Sequence, residues 1–304
     1  MAAEWDAFVA ESRNATFLFN RGYMDYHSDR FEDCSWMVRK GNRLAALLPA
    51  NITPEGVLQS HGGLTYGGWI LPKAHIDGND VLEFFTQACD VWRESGIKAL
   101  DYKPLPWFYA SAPSQEDEYA LFRLGATLTE CSLSATIDLR NKVEFNKLQR
   151  RHLAKALHSS IEITETDDIG AFSDMLVECL RERHNVSPVH SADELRLLAS
   201  RFPKNIRFHA VILDGEMLAG VCVYDTGHVA HAQYIATREK GRRLNLLAPL
   251  FHRLVTDTYR HCRYFDFGIS TEEHGQILNE GLLRQKYSYG ASGSVYKRFL
   301  LILD

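Results

Sequence analysis

The chain has 304 residues, 45% hydrophobic and 24% charged, with a formal net charge of −5. That length and balance fit two ordinary globular domains, and the negative charge excludes general attraction to nucleic acid, so no DNA partner is expected. Six scattered cysteines without a close pair exclude a zinc framework or a disulfide scaffold, and no metal is expected.

Residues 1–12 lack a basic stretch followed by an apolar core, and no run reaches the ~20 apolar residues of a membrane helix. The expectation is a soluble, cytoplasmic protein without a membrane partner. Trp5, Phe8 and Val9 suit a short amphipathic helix. Trp36 to Val38 and Leu44 to Leu48 flank a Gly-Asn turn and predict a hairpin. Residues 62–69 carry four glycines, which fits either a bulged strand open to a ligand or an irregular turn. Val81, Phe84, Phe85, Ala88, Val91 and Trp92 predict a helix capped at Asn79-Asp80. A strand over 97–102 follows, then a proline-rich loop over 103–109, a helix over 114–123 and a strand over 132–139.

Residues 142–157 predict a basic helix joining two halves. Its cations are either a solvated face or a landing strip for phosphates or RNA. Ile169, Phe172, Leu176 and Leu180 form one helical stripe, and Ser191 with Glu194 makes a capping box for the next helix. Strands follow at 208–213, 217–224 and 229–236, the first two joined at Asp214-Gly215. A helix over 244–259, a strand over 264–269, a helix over 272–286 and a strand over 294–303 complete the chain. The order is helix, helix, three strands, helix, strand, helix, strand.

The two halves repeat one another. Asp101 and Asp266 lie 165 residues apart, as do Gly125 and Gly290, while Leu44 and Leu218 lie 174 apart. A shared order with one length change predicts two copies of one fold, divided as 1–140 and 141–304. Two such domains make a site in the cleft between them.

Strand 229–236 places His231 and Gln233 on one face, with Tyr234 beside them. His231 is either a catalytic group or a satisfied core histidine. Asp266, between Phe265 and Phe267, is either a base or a structural partner, and Asp101 at the matching place favours structure. Tyr66, Trp69, Trp107 and Tyr109 fit an acceptor pocket or plain packing, with Lys103 on the same proline-rich loop.

The element order resembles the GNAT acyltransferase fold, and its duplication resembles the FemAB-like branch. Residues 19–31 (FNRGYMDYHSDRF), Leu48-Pro49-Ala50-Asn51, Tyr102-Lys103-Pro104-Leu105-Pro106 and residues 265–272 (FDFGISTE) are similar to that group across the whole chain. The resemblance implies an α/β (α+β) tandem fold of two mixed sheets flanked by helices. It also implies acetyl-CoA or another acyl-CoA as donor, with its pantetheine arm along Ile235 and Ala236. The family's pyrophosphate turn, Gln/Arg-x-x-Gly-x-Gly/Ala, matches here at Arg238 and Gly241, with Arg242 beside them; Arg243 departs from it at the last position. The stretch 71–79 of the first half has no such pattern, so only the second half is expected to hold a coenzyme.

Acyl transfer to an amine needs a proton removed, an oxyanion stabilised and a thiolate protonated. His231 and Asp266 are catalytic candidates from their strands, and the resemblance adds Tyr289 as the acid, with Tyr287 beside it; either tyrosine is equally a core aromatic. Tyr66, Lys103, Trp107, Tyr109, Gln233, Tyr234, Ser270 and Asn279 are candidates for substrate binding. The expected activity is N-acyl transfer to a small-molecule or peptidyl amine in the inter-domain cleft. An aminoacyl-tRNA-dependent transferase, with tRNA as partner, and a non-catalytic binder are the alternatives. Oligomeric state is not legible.

Overall fold

The computed structural model describes residues 1–156, 158–184 and 188–303. The chain forms two compact units. The first comprises residues 1–133, 271–277 and 295–304, and the second residues 134–270 and 278–294.

Unit 1 opens with α1 (Ala2–Glu11) and α2 (Arg21–Met24), followed by β1 (Glu32–Asp33), β2 (Trp36–Lys40), β3 (Arg43–Leu48), β4 (Asn51–Ile52) and β5 (Val57–Gln59). It continues with α3 (Gly78–Glu94), β6 (Ala99–Tyr102) and α4 (Glu116–Arg123). The β2–β3 hairpin forms as its Gly-Asn turn predicts. Asp77, not Asn79 or Asp80, caps α3: its carboxylate accepts from the Asn79 and Asp80 amides, and Asp80 answers in a capping box. Helix α3 then buries Val81, Phe84, Phe85, Cys89 and Trp92 against Trp69, Leu100 and Tyr102. Each large side chain so buried contributes about 2 kcal/mol.

Residues 62–69 form no strand. A Cβ at Gly67 would lie 2.1 Å from the Ser60 carbonyl oxygen, so the stretch is an irregular turn whose glycine admits another part of the backbone.

Strand β7 (Thr127–Asp138) is divided between the units at Ser134. Unit 2 then contains α5 (Lys147–Ala156), β8 (Glu162–Glu165), α6 (Ile169–His184), α7 (Ala192–Arg201), β9 (Ile206–Leu213), β10 (Glu216–Asp225), β11 (Val229–Thr237), α8 (Glu239–Leu244), α9 (Leu247–Arg253) and β12 (Tyr264–Ile269). Short strands β13 (Thr271–Glu272) and β14 (Ile277–Leu278) precede α10 (Glu280–Ser288) and β15 (Ser292–Ile302). Strand order in this unit runs β7-β12-β11-β10-β9-β8, with only β11 and β12 parallel. In unit 1 the order β1-β4-β5-β6-β15 likewise has one parallel pair, β5 and β6. Asp101 and Asp266 sit on the second strand of each parallel pair, and Gly125 and Gly290 follow the next helix of each unit with positive φ. The repeat read in the sequence is therefore a repeat of structure.

Three helices depart from expectation. The basic helix begins at Lys147 because the Asn146 side chain accepts from the Gln149 amide there, and Leu157 lies outside the described residues. The helix expected over 244–259 begins earlier, at Glu239, and breaks at Asn245, whose φ of 56° is left-handed. The last helix starts at Glu280 instead of 272: Asn279 caps it by accepting from the Leu282 amide.

Candidate active site

Strands β11 and β12 pair in parallel only at Val229–Tyr264, Ala230–Phe265 and His231–Asp266. Beyond that point β11 continues to Thr237 and β12 to Ile269 without pairing with each other. A cavity of about 330 Å³ lies where they part, lined by Ile235 and Thr237 of β11, Phe267 of β12, and residues of α5, α6, α8, α9 and α10.

A β-bulge decides which side chains of β11 face it. Cys222 pairs with Tyr234 and the next residue, Val223, with Ala232, so Gln233 is the extra residue. Alternation changes phase there. Ala230 and Ala232 face the core under α9, and after the bulge Ile235 and Thr237 line the cavity. Gln233 is the bulged residue itself, so plain alternation does not set its face relative to His231, and neither residue lines the cavity.

Helix α10 contributes Leu282, Gln285, Lys286 and Tyr289 to the lining, an i, i+3, i+4, i+7 stripe. Lys286 is the member that sequence reading missed. A lysine on an inward stripe among apolar neighbours was its visible signal. Its ammonium donates to the carbonyl oxygens of Gly268 at 2.8 Å and Ile269 at 2.6 Å. Burial pulls its pKa down to about 8, against the opposing pull of the Asp266 carboxylate. Tyr289 is buried among Phe145, Phe251 and Phe267, and burial pushes its hydroxyl up to about 12.

Asp266 is fully buried beneath this end of β12. Its carboxylate accepts from Ser134 Oγ at 2.7 Å, Thr136 Oγ1 at 3.1 Å and the Gly268 amide at 3.2 Å. The imidazole Nδ1 of His231 donates to it at 2.8 Å. In unit 1, Gln59 stands opposite Asp101 in the same register, its amide 3.3 Å from the carboxylate, while Arg298 grips Asp101 from β15.

The basic turn before α8 is internally neutralised. Arg238 pairs with Glu178 and Glu216, Arg242 with Glu182, and Arg243 with Glu239. Gly241 lies against β10, where a Cβ would stand 2.3 Å from the Leu218 carbonyl oxygen. Gly241 and Arg242 line the cavity; Ala236 is buried, and Arg243 is exposed.

Residues 145–275 match the acetyltransferase (GNAT) domain family. That stretch, most of unit 2, is similar to GNAT acetyltransferase domains. Solved structures extend the likeness in fold to both units. One titled the crystal structure of FemX superposes with a TM-score of 0.72 at 11% identity, over 99% of this chain and 96% of that one. The structure of L-PGS from Bacillus licheniformis gives 0.65 at 12% identity, over 99% and 92%. A tandem GNAT protein from the clavulanic acid biosynthesis pathway gives 0.53 at 14% identity, over 100% and 95%. These likenesses show a tandem, FemAB-like fold. No curated protein matches the chain's sequence. No helix among its described residues is long and apolar enough to cross a membrane.

The other expected site residues fall into separate places. In unit 1, Tyr66 packs against Tyr109 with ring centroids 4.8 Å apart, and Tyr109 accepts a hydrogen bond from Tyr296. Trp107 is 52% exposed. Lys103 is half-buried, donates to the Leu64 carbonyl, and is drawn down to about 8 by desolvation. In unit 2, the Tyr234 hydroxyl meets His190 Nδ1, Ser270 is buried with its hydroxyl unpartnered among the described residues, and Asn279 is a helix cap.

Proposed function

We propose that unit 2 takes an acyl-CoA donor between β11 and β12 and passes its acyl group, acetyl or larger, to the amine of a small molecule or peptide. The parting of the two strands beyond His231 and Asp266 carries this reading. It leaves the backbone of β11 without a strand partner on its β12 side, which suits pairing with the amides of a pantetheine arm. The cavity beside it offers apolar room for the acyl end.

The chain's own groups supply the rest. Lys286 spends two N–H donors on Gly268 and Ile269 and keeps a third uncommitted among the described residues. Below its pKa of about 8 it is a cation, suited to stabilise negative charge growing on the acyl carbonyl oxygen. Tyr289 holds its proton throughout the neutral range and is the lining group suited to protonate a leaving thiolate. Calorimetric titration with acetyl-CoA tests the donor: saturable one-site binding is expected, and no heat at millimolar ligand would remove acyl-CoA.

A second reading, transfer from an aminoacyl-tRNA, draws on a different observation. The arginines of the turn are all committed to carboxylates. By contrast, Lys147, Arg150, Arg151 and Lys155 on α5, the helix that brings Gln149 to the cavity, form no ion pair among the described residues. Salt-sensitive RNA binding without acetyl-CoA binding would select this donor.

A further inference from the structure

We infer that Asp266 is a positioning residue for the Lys286 ammonium, acting through the bulged end of β12. The inference rests on the reading of Lys286 as the group that meets the acyl carbonyl. Between Asp266, opposite Thr136, and Ile269, opposite Ser134, strand β12 carries an irregularity against β7. Gly268 lies inside it with φ of 75°, a left-handed conformation that glycine adopts freely.

The carboxylate of Asp266 accepts the Gly268 amide at 3.2 Å, and thereby fixes the peptide turn at this point. The carbonyls of Gly268 and Ile269 that follow are the two acceptors holding Lys286 Nζ. Ser134, Thr136 and His231 hold Asp266 itself from the two flanking strands. Thr136 is in turn tied to Ser294 by a hydroxyl contact of 2.6 Å.

Asp266 thus does two things to Lys286. It sets the backbone carbonyls that orient the ammonium, and its negative charge favours the protonated form against burial. The other charged or titratable groups that line the same cavity are Cys179, Arg242 and Tyr289. His231 meets Asp266 from β11 on Oδ2, the oxygen that does not accept from the Gly268 amide, and so supports the carboxylate.

The test needs no acyl donor. Lys286 is labelled with acetic anhydride over a range of pH, and its modification relative to an exposed lysine, Lys142, is read by mass spectrometry. The wild-type labelling midpoint is expected near the pKa of about 8. In Asp266→Asn the midpoint falls by about one pH unit, because the opposite charge is gone. In Gly268→Ala, which keeps the charge but strains the bulge, it also falls. Should Asp266→Asn fail to fold, Gly268→Ala alone carries the test. An unmoved midpoint in the folded variant overturns the inference. A shifted midpoint in a protein that transfers no acyl group would leave the positioning intact and reject the assigned reaction instead.

Discussion

Gly241 of α8 lies so close to β10 that a Cβ there would stand 2.3 Å from the Leu218 carbonyl oxygen. The glycine of the family-like turn is thus required by the packing of the helix on the sheet, whatever it binds. Gly241→Ala is expected to cost about 1–3 kcal/mol, read as a lowered thermal midpoint. Loss of acetyl-CoA binding in Gly241→Asp therefore speaks about the turn only if the variant still melts cooperatively. An unchanged melting point in Gly241→Ala would contradict the packing role.

Lys286→Met keeps an unbranched side chain one atom shorter and removes its charge. Transfer should fall by about 10²-fold while acetyl-CoA affinity stays near wild type, since the group acts on developing charge. The wild-type rate should also decline as pH rises through about 8, where the ammonium is lost. A flat alkaline limb in the wild type, or full activity in Lys286→Met, would remove Lys286 from the chemistry.

Tyr289→Phe retains the ring packed on Phe145, Phe251 and Phe267. Its stability should change by no more than about 1 kcal/mol, because only the hydroxyl is lost. If Tyr289 donates the proton to the leaving group, turnover falls about 10²-fold with donor affinity unchanged. Unaltered turnover assigns Tyr289 to the core alone.

Two buried histidines predict an acid limb of stability. Burial draws His61 and His209 down from 6.5 to about 4. The unfolded chain then binds more protons than the folded one between those values, so stability is lost as pH falls from 6.5 toward 4. Asp117, raised from 3.8 to about 6 by burial, acts in the opposite sense below pH 6. The net loss is on the order of a few kcal/mol between pH 6.5 and 4, because two histidine shifts outweigh the one carboxyl shift. Denaturant midpoints across this range measure it, and His209→Gln should flatten the slope.

Neutralising α5 separates the two donors. Arg150→Ala with Arg151→Ala should leave acetyl-CoA affinity unchanged, since neither lines the cavity. If the donor is an aminoacyl-tRNA, the same pair weakens RNA binding and lowers its salt slope by about 2.

Local chemistry made much of the fold legible. Asp214-Gly215 takes the two positive φ values its hairpin turn demands, and Ser191 with Glu194 closes the capping box its spacing announces. The internal repeat was legible because Asp101 and Asp266 occupy matching strands. Helix starts were misplaced where a nearby side chain rather than the apolar stripe sets the cap, as at Asp77, Asn146 and Asn279.

The sequence by itself determined two copies of one α/β fold and pointed to the turn at Arg238 to Arg243 and to the strand bearing His231. Tertiary structure alone decided what those segments do to one another. The extra residue Gln233 reverses the facing of β11, which periodicity along a chain cannot reveal because a bulge is defined only against its partner strand. Carboxylates distant in sequence, Glu178, Glu182 and Glu216, neutralise the arginines. Burial on the inward stripe of α10 turns Lys286 from one cation among many into a lysine with a pKa of about 8, held by two carbonyls of β12.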